Sequence, residues 1–92
     1  MAGTVRYSIS FKGRVQGVGF RFRCQMAAAD LGLTGWVRNE YDGSVSAEVQ
    51  GDLVSIYRLI DSLEGDRWIL IDEKEMKELP VEPHETQFLI RH

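Results

Sequence analysis

Val5-Arg6-Tyr7-Ser8-Ile9-Ser10-Phe11-Lys12-Gly13-Arg14-Val15-Gln16-Gly17-Val18-Gly19-Phe20-Arg21 is the stretch that decides the fold. From Val5 to Phe11 the apolar residues Val5, Tyr7, Ile9 and Phe11 alternate with Arg6, Ser8 and Ser10, and Lys12 continues the polar set. That is the period of a strand with one face in the core and one in water. Gly13 to Gly19 reads as a loop, because its three glycines reach backbone angles closed to other residues and let a ligand approach the main chain. Phe20, Cys24, Ala27, Ala28 and Leu31 then recur at helical spacing, and Gly32 supplies the stop.

Working outward, Leu33 to Asn39 reads as a second strand built around Trp36 and Val37. Asp42-Gly43 turns the chain into a third, where Val45, Ala47 and Val49 alternate with Ser46, Glu48 and Gln50. Asp52 is placed as an N-cap, after which Leu53, Ile56, Tyr57, Ile60 and Leu63 form one apolar stripe before Gly65. Trp68 to Leu79 is ambiguous in composition. Ile69 and Ile71 favour a strand, whereas Asp72-Glu73-Lys74-Glu75-Met76-Lys77-Glu78 is rich in helix formers. A strand is expected, since it completes a βαββαβ pattern and its dense charge suits an edge. Pro80 and Pro83 bound a loop, and Gln87 to Arg91 reads as a short closing strand. The expected fold is α+β, a ferredoxin-like sandwich. It has a four- to five-stranded antiparallel sheet of core order 4-1-3-2 and two helices on one face.

At 92 residues the chain is expected to form a single domain over 1–92 with one core. Its 43% hydrophobic and 27% charged residues speak against disorder. The apolar runs are far too short to span a bilayer, and the start lacks a signal-peptide core, so a cytoplasmic protein is expected. The single cysteine, Cys24, cannot form an internal disulfide, and no cysteine or histidine spacing suggests zinc, so no metal or cofactor is expected. A net charge of −3 disfavours nucleic acid and anionic membranes as partners. Any anion this chain binds needs a local site.

The glycine loop has the makings of one. Free backbone N–H groups in such a turn, at a helix N-terminus, converge on negative charge, and the helix dipole reinforces them. Arg21 and Arg23 fall in the first helical turn, where a cation opposes the dipole unless something negative is bound nearby. The alternative is that both are solvated side chains on the outer face. The topology adds a partner: strands one and two run parallel with strand three between them, so their C-terminal ends share one sheet edge. The loop and Asn39 are then roughly 10 Å apart, two strand spacings. Nucleotide loops fit poorly, for Phe22 stands where a dinucleotide fingerprint needs its third glycine, and no Gly-Lys-Ser/Thr occurs.

Gly13-Arg14-Val15-Gln16-Gly17-Val18-Gly19-Phe20-Arg21 closely resembles the first acylphosphatase signature. Gly35-Trp36-Val37-Arg38-Asn39, with Asp42-Gly43-Ser44-Val45 and Gly51, resembles the second, and Leu31-Gly32-Leu33 also matches. The resemblance is dense from about Phe11 to Gly51 and looser afterwards. It implies a hydrolase that splits carboxyl-phosphate anhydrides, acyl phosphates, into carboxylate and inorganic phosphate. It further implies that Arg21 binds the phosphoryl oxygens together with the backbone amides of Gln16, Gly17, Val18, Gly19 and Phe20, and that Asn39 orients the attacking water. A carboxylate leaving group, with a pKa near ~4, departs without a general acid. With no side chain suited as base, a substrate phosphate oxygen is the expected proton acceptor.

Plainer readings stand beside these. Cys24 lies on the buried stripe and reads as a small hydrophobe. His84 and His92 read as surface residues of the tail, Trp36 as a packing residue, Asp42 as a turn former, and Arg14 either as a loop cation or as a source of positive potential. Asn39 alone would be a strand-end residue capping the hairpin. Two other functions compete: a noncatalytic or carbamoyl-phosphate-handling module, and a ferredoxin-like RNA-binding module. The second lacks base-stacking aromatics at the outward positions of strands one and three: Arg6, Ser8, Ser10, Lys12, Ser44, Ser46, Glu48 and Gln50. A chain of this length is expected to be a free-standing, monomeric enzyme.

Overall fold

Strand alternation and helical spacing resolve into seven elements in the computed structural model, which describes residues 3–92. These are β1 (Thr4–Arg14), α1 (Phe20–Asp30), β2 (Thr34–Asn39), β3 (Val45–Asp52), α2 (Leu53–Glu64), β4 (Leu70–Leu79) and β5 (Phe88–Arg91). The sheet runs β4-β1-β3-β2-β5, so the expected order 4-1-3-2 holds and a fifth strand extends it. β1 and β2 each pair antiparallel with β3 and are therefore parallel to one another. The charge-dense Asp72 to Glu78 is strand, and β4 occupies an edge, where its charged side chains stay in water.

Several expectations need correcting. β5 pairs parallel with β2, so the sheet is mixed rather than wholly antiparallel. The chain reaches that far edge by crossing the helix-free face. On the way the amide of Glu82 donates to Gln50 Oε1 at 2.8 Å, Gln50 Nε2 donates to the Glu82 carbonyl at 3.0 Å, and the amide of Gly35 donates to the Gln87 carbonyl at 2.9 Å. β1 also outlasts its alternation. A register shift at Lys12/Gly13 lets Gly13 and Arg14 pair with Ile71 and Leu70, so the loop is confined to residues 15–19. At the start of α2, Asp52 occupies the N-cap but makes no side-chain capping bond. The buried stripe of that helix is Ile56, Leu59, Ile60 and Leu63, with Tyr57 exposed.

The largest departure is Arg6, expected on the wet face yet only 3% exposed. Its Nε donates to Glu48 at 3.0 Å, and Nη1 and Nη2 donate to the two carboxylate oxygens of Glu85 at 2.8 and 3.2 Å. Burial acts to lower the Arg6 pKa, but the bonds and charges of Glu85 and Glu48 outweigh it and raise it. In the same way burial acts to raise the Glu85 carboxyl, and its hydrogen bonds to Arg6 and Thr34 win and hold it below the usual glutamate range. Each charge is buried because the other neutralises it.

One apolar cluster fills the space between helices and sheet. Part of it fixes the start of α1. The rings of Phe11, near the end of β1, and Phe20, first residue of α1, lie 5.0 Å apart at 57°. Val15 is fully buried and Val18 packs against the core. Gly32 and Leu33 close the helix by donating to the carbonyls of Ala29 and Ala28 at 3.2 and 2.8 Å.

Candidate active site

Gly17 and Gly19 have φ of 74° and 78°, left-handed conformations that a side chain would strain. They wrap the loop around Val18 and deliver it to the N-terminus of α1, where Gly19 is the N-cap and offers no side chain of its own. The backbone amides of Gln16 to Phe22 make no hydrogen bond to another main-chain group among the described residues. A turn of unpaired N–H groups at a helix start concentrates partial positive charge.

The turn forms one wall of a cavity of about 310 Å³ lined by Val15, Gly17, Gly19, Phe20, Arg21, Phe22, Asn39, Ile90 and His92. The structure therefore brings Arg21 and Asn39 together with the glycine loop, as the strand topology requires. Gln16 and Val18 do not line the cavity. Val18 is turned into the core. Gln16 reaches across to the β2–β3 hairpin, where its Nε2 donates to the carbonyls of Glu40 and Ser44, both at 2.8 Å.

The two arginines of the first helical turn part company. Arg23 is paired with Asp66 at 2.8 Å, which answers its unfavourable position on the dipole. Arg21 finds no carboxylate among the described residues. Its Nη1 donates to Nδ1 of His92 at 3.3 Å and lies 3.5 Å from the carbonyl of Arg91. The hairpin beyond Asn39 is internally satisfied: Asp42 accepts from the Ser44 amide at 2.9 Å and hydroxyl at 2.6 Å, and Ser44 holds its carboxyl below the usual range. Hydrogen bonds from Ser46 and then Arg38 do the same for Glu40. Cys24 lies in the core beneath α1, where burial pushes its thiol up to about 12, so it is no nucleophile at neutral pH. Among the described residues, no group of three or more His, Cys, Asp and Glu side chains could hold a metal ion. No helix among the described residues is long and apolar enough to cross a membrane.

The Acylphosphatase family model matches residues 7–90. The chain belongs to the acylphosphatase family. An acylphosphatase of Clostridium perfringens is 43% identical over 88 residues, covering 91% of this chain and 96% of that one. The crystal structure of the Bacillus subtilis acylphosphatase superposes with a TM-score of 0.87 at 30% identity, covering 96% and 99% of the two chains. All of this chain also superposes, with a TM-score of 0.89 at 28% identity, on 12% of full-length HypF crystallised in its phosphate- and nucleotide-bound form. As an acylphosphatase the protein is an enzyme, a hydrolase acting on acid anhydrides.

Two features of this acylphosphatase site lay outside the sequence reading. One is the side chain of Gln16, which ties the loop to the hairpin. The other is His92, exposed as expected of the tail but placed at the wall of the cavity. A parallel β5 would have revealed it: alternation from the buried Phe88 through the half-buried Ile90 carries residue 92 to the helix side, beside Asn39 at the end of β2. Arg91 points the other way, its guanidinium 4.8 Å from the centre of the Trp36 ring, which Arg38 also contacts at 5.0 Å. Trp36 is thus a packing platform for arginines.

Proposed function

We propose that the acyl phosphate binds in this cavity with its phosphoryl oxygens on Arg21 and on the amides of Gln16 to Phe20, and that Asn39 holds the attacking water. The observation that carries this reading is that Arg21, which pairs with no carboxylate among the described residues, shares a small cavity with a turn of unpaired amides and with Asn39. Phosphoryl transfer through a loose transition state spreads charge over the equatorial oxygens, and preorganised donors stabilise that charge as it develops. The departing carboxylate needs no proton, so no acid is required. The water gives its proton to a substrate phosphate oxygen. Neither step calls for a metal, and full activity is expected in excess chelator.

Arg21→Ala and Asn39→Ala are each expected to lower turnover of an aromatic acyl phosphate on the order of 10² to 10³-fold, the effect of removing one oxyanion donor. Only Arg21→Ala should also abolish competition by inorganic phosphate. Near-normal turnover by either variant removes that residue from its role, and the reverse pattern of phosphate competition exchanges the two roles.

The protein is further proposed to work as a monomer in the cytoplasm, a reading supported by its lone, buried and reduced cysteine. Nucleic acid is disfavoured as a partner by the net charge and by residues 80–87 lying across the helix-free sheet face. A second reading, a phosphate-handling module of a larger protein, is favoured by the likeness to HypF. Acyl-phosphate hydrolysis by the isolated 92-residue chain separates the two.

A further inference from the structure

Arg21 is held by a neighbour that can itself change charge. A guanidinium has five donors and no acceptor, so the 3.3 Å contact with His92 Nδ1 requires that nitrogen to present its lone pair. A proton on Nδ1 would break that contact, since Arg21 has nothing to accept it. A second positive charge at this distance from Arg21 would be repelled. A dianion between the two side chains reverses the balance, for it attracts both cations and can accept a hydrogen bond from each.

We infer that His92 is an anion-binding residue of this site, taking up a proton as the phosphoryl group enters and making the affinity for substrate pH-dependent. The inference rests on the reading of Arg21 as the phosphate ligand. Among the described residues around Arg21, the imidazole is the group left free to respond. From α1 the charged groups are Arg21 and Arg23, and Arg23 is committed to Asp66. From β2 Asn39 is neutral, and the next residue, Glu40, is bonded to Arg38 at 3.1 Å. From β5 Ile90 is apolar and Arg91 lies over Trp36 on the opposite face. The loop contributes Val15, Gly17 and Gly19. His84, the other histidine of the chain, belongs to a separate cavity with Arg6, Trp36 and Glu85. Because binding and protonation reinforce each other reciprocally, the anion must bind more tightly as pH falls through the imidazole range.

Sulfate is the suitable probe, since it stays a dianion throughout that range while phosphate itself titrates. Couplings between sites are typically ~5- to 150-fold, and the exposure of His92 favours the low end. Sulfate affinity of the wild type should therefore rise about tenfold between roughly pH 8.5 and 5.5. Saturating sulfate should also shift the NMR titration of the His92 ring upward in pH. His92→Gln, which keeps a side chain able to accept from Arg21, should bind sulfate with little pH dependence, at the weaker, high-pH affinity. Whatever charge the main chain carries at residue 92 is common to both proteins, so their difference reports the imidazole. A flat wild-type profile, or an equal slope in the variant, overturns the inference. Arg21→Ala separates the two layers: if it loses sulfate while the wild-type profile is flat, only the role of His92 fails. If it keeps sulfate, the reading of Arg21 fails with it.

Discussion

Replacing Gln16 by alanine tests how the site is held together. Its amide nitrogen bridges the glycine loop to the carbonyls of Glu40 and Ser44, both at 2.8 Å, and these flank the turn that follows Asn39. Each bond is worth about 0.5 to 1.5 kcal/mol net. Both carbonyls keep another donor, since the amide of Gly43 bonds Glu40 at 3.2 Å and the amide of Glu40 bonds Ser44 at 2.8 Å. No buried acceptor is orphaned, so the loss should fall in the lower part of the summed range, about 1 to 2 kcal/mol. At about 4 to 8 °C per kcal/mol for a domain of this size, Tm should drop by about 4 to 16 °C. The larger effect is expected on catalysis. With the loop no longer pinned to the hairpin, Arg21 and Asn39 lose their fixed separation, and a misalignment worth about 1.4 kcal/mol lowers kcat/KM roughly tenfold. Gln16→Glu should be worse than Gln16→Ala, because a carboxylate sets oxygens against both carbonyls. Urea and thermal unfolding, with turnover of an aromatic acyl phosphate, measure all three proteins. Unchanged stability and turnover in Gln16→Ala, or a glutamate variant better than the alanine one, would refute the reasoning.

Glu85→Gln removes a two-pronged charged contact with buried Arg6 and should cost about 1.5 to 3 kcal/mol, read from urea unfolding. Because Glu85 is held below its unfolded pKa, its contribution is present above about pH 4.3 and lost as pH falls through the lower native value. The variant should therefore lose less stability than the wild type on acidification, and equal acid slopes would contradict the pairing. Cys24→Ala should keep full activity at a cost of about 0.5 to 1.5 kcal/mol, the effect of deleting one small buried group. The native thiol, with its pKa pushed up to about 12, should resist iodoacetamide at neutral pH, and rapid alkylation without unfolding would show that it is accessible.

Local periodicity carried most of the fold. Alternation in Val5 to Phe11 and helical spacing from Phe20 were read directly, because each reports burial against one core. The charged segment Asp72 to Glu78 contradicts its own propensities; the βαββαβ pattern and the fit of dense charge to an edge mark it as a strand, and it pairs with β1. What escaped was long-range. Nothing near Arg6 in sequence announces that Glu85, 79 residues on, will fold over and bury it. The direction of β5 depended on the path of residues 80–87, which has no period to read, and with it went the position of His92. The site divides along the same line. The glycine loop, Arg21 and Asn39 were legible from motif and topology, whereas the partner that occupies Arg23 and the bridge made by Gln16 are contacts between distant segments.

A crystal structure of the protein soaked in inorganic phosphate is the most direct measurement of where the anion sits. A tetrahedral density between the guanidinium of Arg21 and the amides of residues 16–20, at hydrogen-bond distances of roughly 2.7 to 3.2 Å, is the predicted result. Phosphate bound elsewhere with that turn vacant, or held there without Arg21, would contradict it.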